Sequence, residues 1–369
     1  MKIGIECHTI EKKQRLGAGG NYLLNLLKEW SKIETDQDQF ILYFKEYIPK
    51  IDFLNKPHFI KRIVKTPIKS TALYYNIALP AKAKKDKADI LFLPFYMRPF
   101  FCFTPTVTAI HDISFKTHPE WFAWNYKIPF KILTKKAIKT SKRILACSQY
   151  TKQETIRNYK IKEEKVKTIY LAANKEFNNQ KEEQEIKKAK EKYNIKNKYI
   201  FFTGTIFNRR HVLESIKAFK EIKNENYQFL ISGRNFTNPK QKIKEGNKII
   251  RTDFVEYKDL PHIYKGADLF IWLSTYEGFG LPVLEAMQSG TPVLTTKETS
   301  LKEVIGDYPI YIKDSKNIKE IKEKMKKILT NQELKQECIN KGLEQAKKFS
   351  WEKTAKQTLK EIKNENNTN

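Results

Sequence analysis

Short apolar runs punctuate this chain, separated by longer lysine-rich segments with helical spacing. Lys2–Glu6, Phe40–Phe44, Asp89–Pro94, Thr106–Ile110, Arg143–Cys147 and Val166–Leu171 read as strands in the first half. Tyr199–Phe202, Gln228–Ser232, Lys248–Val255, Leu269–Leu273 and Thr291–Thr295 read as strands in the second. Such runs are short enough for strands buried on both faces of a parallel sheet. Between them, Asn21–Trp30 reads as a helix with Asn21 as its cap, Ser148 begins another, and Lys181–Tyr193 has a helical pattern. Phe349-Ser350-Trp351-Glu352 opens a C-terminal helix, and 364–369 reads as a frayed, Asn-rich end. The stretch 45–88 is the least legible. The alternation predicts an α/β chain, and 369 residues suggest two domains.

The most informative stretch is Ala267–Thr296, a β-loop-α-β unit. Leu269–Leu273 gives the strand, and Ser274–Gly280 the glycine-bearing loop. Pro282 suits a first helical position, since its missing N–H has no partner there anyway. The helix Pro282–Ser289 ends at Gly290, placed for the left-handed conformation. Ligands of open α/β sheets bind at the carboxyl ends of strands, and a helix N-terminus there favours an anion. Gly278 and Gly280 let backbone approach it. Glu277 before the helix and Glu285 in its first turn would repel an anion on contact, so they suit neutral hydroxyls, as on sugars. Each could also be no more than a charge complementing the helix dipole.

E-G-F-G-L-P-V-L-E-A-M, with its two glutamates separated by seven residues, resembles the signature of retaining glycosyltransferases of family 4. The resemblance covers nearly the whole chain and is strongest over 199–306. It implies the GT-B fold: two Rossmann-like domains with a donor cleft between them and a C-terminal helix crossing back to the first domain. The expected division is 1–173 on the acceptor side, 174–349 on the nucleotide-sugar donor side, with a linker near 172–180, and 350–369 as crossover helix and tail. Gly19 and Gly20, in the loop Gly17-Ala18-Gly19-Gly20 feeding a helix, match a family loop near the donor phosphates. His111, delivered by the strand Thr106–Ile110, matches a histidine that faces the donor sugar. Asp112 either orients His111 or helps bind the acceptor. Gly204 and Arg209 match a glycine and the arginine of a Pro-Arg-Lys-Asn run; Asn208, Arg210 and His211 replace its other members. Arg209 and Arg210 would hold the leaving diphosphate, Arg as a fork where Lys is a point charge. Gly278, Phe279, Gly280 and Leu281 would line the donor, Glu277 would hold sugar hydroxyls and Glu285 the ribose. Backbone at Val255 would touch the base, although Thr252-Asp253-Phe254 stands where the family has a glycine. The implied reaction retains anomeric configuration and needs no metal or other cofactor.

Composition narrows the alternatives. With 70 Lys+Arg against 42 Asp+Glu, the net charge is +28, which attracts nucleic acid, anionic membranes or nucleotide phosphates. The chain is also rich in Ile, Asn and Tyr, so a general compositional bias explains the charge equally well. Trp121–Arg143 is aromatic and then basic, which fits either a membrane interface or an ordinary helix with a solvated lysine face. Asp36-Gln37-Asp38 spells a metal-binding Asp-x-Asp but precedes its strand, and reads as a solvated turn. Cys7, Cys102, Cys147 and Cys338 are scattered, as in a reduced cytoplasmic protein. M-K-I-G-I-E-C-H reads as a strand rather than a signal peptide, and no apolar run is long enough to span a bilayer. The expected partners are a nucleotide sugar and a glycan or lipid-linked acceptor. An epimerase or phosphorylase of the same fold, or a basic binding protein for membrane or nucleic acid, are the competing readings.

Overall fold

In the computed structural model of the chain, all residues are described except 12–17, 35–37, 69, 123, 181, 224, 238, 241 and 366–369. The chain divides into two compact units, one of Met1–Leu171 with Trp351–Asn369, the other of Ala172–Ser350. Each is built on a parallel sheet, so the chain is α/β as its sequence pattern predicts.

Unit 1 contains β1 (Lys2–Glu6), β2 (Gln39–Phe44), β3 (Phe59–Ile63), β4 (Ile90–Leu93), β5 (Thr106–Ile110), β6 (Arg143–Ala146) and β7 (Val166–Thr168). Their order is β3-β2-β1-β4-β5-β6-β7. Ile5 pairs with Leu42 on one side and Phe92 on the other, and all three are fully buried. Covering both faces of a parallel sheet is what makes its strands continuous apolar runs. Strand order reverses between β1 and β4, which opens a crevice at their carboxyl ends.

Unit 2 contains β8 (Lys198–Thr203), β9 (Tyr227–Ser232), β10 (Ile249–Thr252), β11 (Leu269–Trp272) and β12 (Val293–Thr295), ordered β10-β9-β8-β11-β12. Here the reversal lies between β8 and β11. β10 is shorter than Lys248–Val255, so Val255 sits beyond the strand in a loop.

The C-terminal helix Trp351–Asn364 belongs to unit 1, the return crossing implied by the family resemblance. Trp30 Nε1 donates to the Ala355 carbonyl at 3.0 Å, and Thr354 Oγ1 to the Tyr170 carbonyl at 2.7 Å. Asn364 is still helical and Glu365 is buried against Arg143, so the frayed end does not begin at 364; residues 366–369 lie outside the described ones.

Three further expectations need correction. The first helix is Ala18–Trp30, so Gly19 and Gly20 lie in its first turn rather than in a loop. Asn21 is therefore inside the helix, where its carbonyl accepts from Asn25 Nδ2 at 2.9 Å, and is not the cap; Gly17 lies outside the described residues. Asp38 is not a solvated turn residue: it pairs with the N-terminal amine and with Lys363, and is only 11% exposed. Asp36 and Gln37 lie outside the described residues. β3 has no counterpart among the predicted strands, because its outer half, Lys61 to Ile63, is polar or exposed at the sheet edge.

Gly233, at the end of β9, has φ +146°, and a Cβ there would lie 1.9 Å from the Gly204 carbonyl oxygen. Two strand ends meet through this contact. Gly233→Ala is expected to cost ~3 kcal/mol or more, read from urea unfolding, because both the backbone angle and the contact forbid a side chain.

Candidate functional site

Unit 2 brings most of its candidate residues to the carboxyl ends of β8 and β11. The chain leaves β8 through Gly204, with φ +118°, where a Cβ would meet the Trp272 ring at 3.1 Å. Asn208–Arg210 form a single 3₁₀ turn. Asn208 holds its first position, where the family's proline would also fit. His211 follows at φ 46° and precedes the helix Val212–Glu221. Asn and His both tolerate the left-handed conformation, so the exchange at 211 preserves the backbone.

Arg210 is fixed on three sides. Its Nε donates to Glu277 Oε1 at 3.0 Å and its Nη1 to the Thr205 carbonyl at 2.6 Å. Its guanidinium lies 4.3 Å over the Trp272 ring. Both partners of the ion pair are nearly buried, with 13% and 12% of the side chains exposed. Arg209 lies over the Phe207 ring at 4.3 Å, and its carbonyl accepts from Thr275 N at 2.9 Å, which ties this turn to the loop after β11.

That loop is held from the next segment. Thr299 Oγ1 accepts from Glu277 N at 3.1 Å. Ser300 Oγ lies 2.8 and 2.9 Å from the carbonyl oxygens of Glu277 and Phe279, to either of which it can donate. Gly280, at φ +110°, caps the helix Leu281–Gln288 and packs where a Cβ would strike Leu301 at 2.6 Å. Pro282 has no N–H, and Val283 N already donates to the Gly280 carbonyl at 3.1 Å. The helix start therefore offers an anion the N–H groups of Gly280 and Leu281, which bond no other group among the described residues.

Glu285 lies beyond the first turn of this helix, which contains no acidic residue. Its Oε2 accepts from Tyr264 OH at 3.0 Å. Burial pushes its pKa up to about 7, and the Tyr264 bond only partly offsets this. At the end of β10, Val255 is buried and Phe254 is 66% exposed.

Unit 1 gathers its candidates at the carboxyl ends of β4 and β5. His111 is buried, with Nε2 3.0 Å from the Pro94 carbonyl. A carbonyl only accepts, so Nε2 carries the proton and Nδ1 is left as an acceptor. Burial lowers the His111 pKa against the opposing pull of that carbonyl and of Asp112, so the ring is neutral at pH 7. The edge of Tyr22 packs on it at 4.9 Å. Asp112 does not hydrogen-bond His111: Oδ1 accepts from Ser114 N and Oγ at 2.8 and 2.6 Å, and Oδ2 from Tyr96 OH at 3.3 Å. Its carboxylate organises the turn after β5. Gly19 has a packing reason of its own, since a Cβ there would lie 2.6 Å from the Phe95 ring, which in turn lies near His111. Gly20 is buried beside it.

Residues 183–345 match the family described as Glycosyl transferases group 1, and residues 35–177 the one described as Glycosyltransferase Family 4. O-antigen chain mannosyltransferase B of Escherichia coli is 30% identical over 267 residues, 70% of this chain and 70% of that protein. The chain belongs to the group 1 glycosyltransferases. O-antigen chain mannosyltransferase RfbU of Salmonella typhimurium is 27% identical over 213 residues, 56% of each chain. The structure of Anabaena HepE in complex with UDP and glucose superposes with a TM-score of 0.71 at 15% identity, covering 98% of this chain and 99% of that one. The fold of this glycosyltransferase is thus GT-B.

Sequence reasoning missed three parts of the glycosyltransferase's candidate site. Trp272 hides inside an apolar strand and gives no outward signal. Tyr264 sits on the helix Leu260–Gly266, and Thr299 beyond β12; both reach the site only through the fold.

Glu285 gives a pH prediction. Its folded pKa lies above its unfolded value, so ionisation favours the unfolded chain, and stability falls as pH rises from roughly 4.5 to 7. Glu285→Gln is expected to raise Tm at pH 8 by roughly 2–4 °C and to change it little at pH 4.5, measured by scanning calorimetry.

Proposed function

We propose that the protein transfers a hexose from a nucleotide diphosphate sugar to a hydroxyl of a glycan or lipid-linked acceptor, with retention at the anomeric carbon and without a metal. The observation that carries this reading is the Arg210–Glu277 pair at the carboxyl ends of β8 and β11, beside the start of helix Leu281–Gln288. In the proposed reaction the bond from the anomeric carbon to the diphosphate oxygen breaks, and the acceptor oxygen bonds the same face. The acceptor's proton passes to the leaving diphosphate. Charge therefore grows on the diphosphate, where preorganised cations and N–H groups stabilise the transition state most. Arg209, Arg210 and the N–H groups of Gly280 and Leu281 supply that field, and close approach is provided by Gly204, Gly278 and Phe279. These fixed cations are assigned the work that a metal would otherwise do.

Glu277 is assigned the donor-sugar hydroxyls, a carboxylate made tolerable near phosphate by its arginine partner. Glu285 is assigned the ribose, and backbone at Val255 the base. Neutral His111 is assigned a sugar hydroxyl through Nδ1, and Gly19 and Gly20 a backbone approach to the donor. Asp112 shapes the acceptor side. The named relatives are O-antigen mannosyltransferases, which favours mannose as donor sugar and cell-surface polysaccharide synthesis in the cytoplasm as the setting.

Glu277→Ala and Arg210→Ala are each expected to lower kcat/KM by ~100-fold or more, about 2.7 kcal/mol, while circular dichroism shows a folded protein. Assays with nucleotide diphosphate mannose and glucose are expected to proceed in excess chelator, with the anomeric product fixed by NMR. Near-normal transfer by either variant, inversion, or free phosphate as co-substrate would refute the assignment.

A further inference from the structure

An apolar and cationic surface on unit 1 takes no part in the roles above. The segment between β4 and β5 carries Phe100, Phe101 and Phe103, which are 42%, 65% and 83% exposed. Three phenylalanines among four consecutive residues facing water form a patch that needs a cover. Beside it runs the helix Trp124–Thr140. Ile128 and Ile132, 52% and 50% exposed, stand on its outer side among the exposed Lys131, Lys135 and Lys139.

The loop is fixed to this helix. Lys136 Nζ donates to the Phe100 carbonyl at 2.7 Å and stands 4.4 Å over its ring. Arg98 spans from the Cys102 carbonyl, at 2.8 Å, to Thr140 Oγ1, at 3.0 Å. On the other flank, Lys84 lies 5.7 Å over the Phe103 ring. Phe100 and Phe103 are thus each held beneath an ammonium group, Lys136 and Lys84. Among the described residues, none of Lys131, Lys135 and Lys139 has a carboxylate within ion-pair distance.

We propose that this surface docks unit 1 on an anionic lipid bilayer. The phenylalanines and isoleucines enter the headgroup boundary, and the lysines stay at the phosphate level on their flexible stems. Charge complementarity selects the occupant. Unpaired lysines around an apolar tip attract a negative surface that is itself apolar beneath, which a bilayer provides. Among the described residues no helix is long and apolar enough to cross a membrane. This inference deepens the proposed function, because it rests on the reading that the acceptor is lipid-linked.

The test is co-sedimentation of the full chain with vesicles of neutral phosphatidylcholine, or with roughly one third phosphatidylglycerol added, over a salt series. The wild type is expected to bind anionic vesicles at least tenfold better than neutral ones, and less well as salt rises. Phe101→Ser with Phe103→Ser is expected to cut that binding about tenfold. Charge reversal of Lys131, Lys135 and Lys139 to Glu is expected to abolish the preference for anionic lipid. Both variants are expected to keep the thermal shift that a nucleoside diphosphate gives the wild type. Equal binding to both vesicle types, or unchanged binding by either variant, overturns the proposal. So does a self-association lost in the Phe variant without any vesicle binding, or a preference for a single-stranded oligonucleotide over vesicles. If nucleotide shifts persist while vesicle binding is absent, the docking fails and the transferase reading stands. If vesicles bind and no nucleotide does, the reverse holds.

Discussion

The site of unit 2 depends on one side chain being held still. Arg210 has an ion pair at one end, a carbonyl at the other and an indole beneath it. A Cβ on Gly204 would press on two of these groups, 3.1 Å from the Trp272 ring and 3.4 Å from Arg210 Nη1, and φ +118° there already favours glycine. A nearly buried arginine of this kind contributes little net stability, since desolvation offsets much of the attraction. In the proposed reaction its value is preorganisation: a fork already held in place costs no reorganisation when charge develops beside it. The same contact fixes Glu277, so a carboxylate and a cation are presented together.

Unit 1 supplies the opposite chemistry. His111 is neutral, its tautomer is set by the Pro94 carbonyl, and aromatic edges surround it. A ring in this state can accept a bond from a hydroxyl without adding charge. Asp112 is spent on Ser114 and Tyr96, which explains why the position next to a candidate catalytic histidine need not act on it. All four cysteines are buried and none is in a disulfide; Cys147 Sγ donates to the His111 carbonyl at 2.9 Å, which helps hold the backbone of that histidine.

Much of this was legible in the chain. Apolar runs located the strands because parallel strands covered on both faces must be apolar throughout. The loop 277–285 was legible because glycines, a proline and two carboxylates stand at fixed offsets around a helix start. What escaped was whatever depends on a partner distant in sequence. The Glu285–Tyr264 bond joins two helices, and Trp272 looks like any buried strand residue. Gly19 and Gly20 read as a loop because glycine clusters usually are one; here close packing on Phe95 explains Gly19 inside a helix. β3 escaped because an edge strand keeps polar residues.

The central claim is that fixed cations and backbone N–H groups at the ends of β8 and β11 bind a diphosphate. The most direct measurement is calorimetric titration of uridine, guanosine, adenosine, cytidine and thymidine diphosphates into the wild type and Arg210→Lys, with a chelator present throughout. The account predicts that one nucleotide binds the wild type without metal. It predicts that the Lys variant, which keeps the charge but loses the fork, binds that nucleotide about tenfold more weakly, roughly 1.4 kcal/mol. Equal affinity in the two proteins, or binding only once a divalent metal is restored, would contradict it.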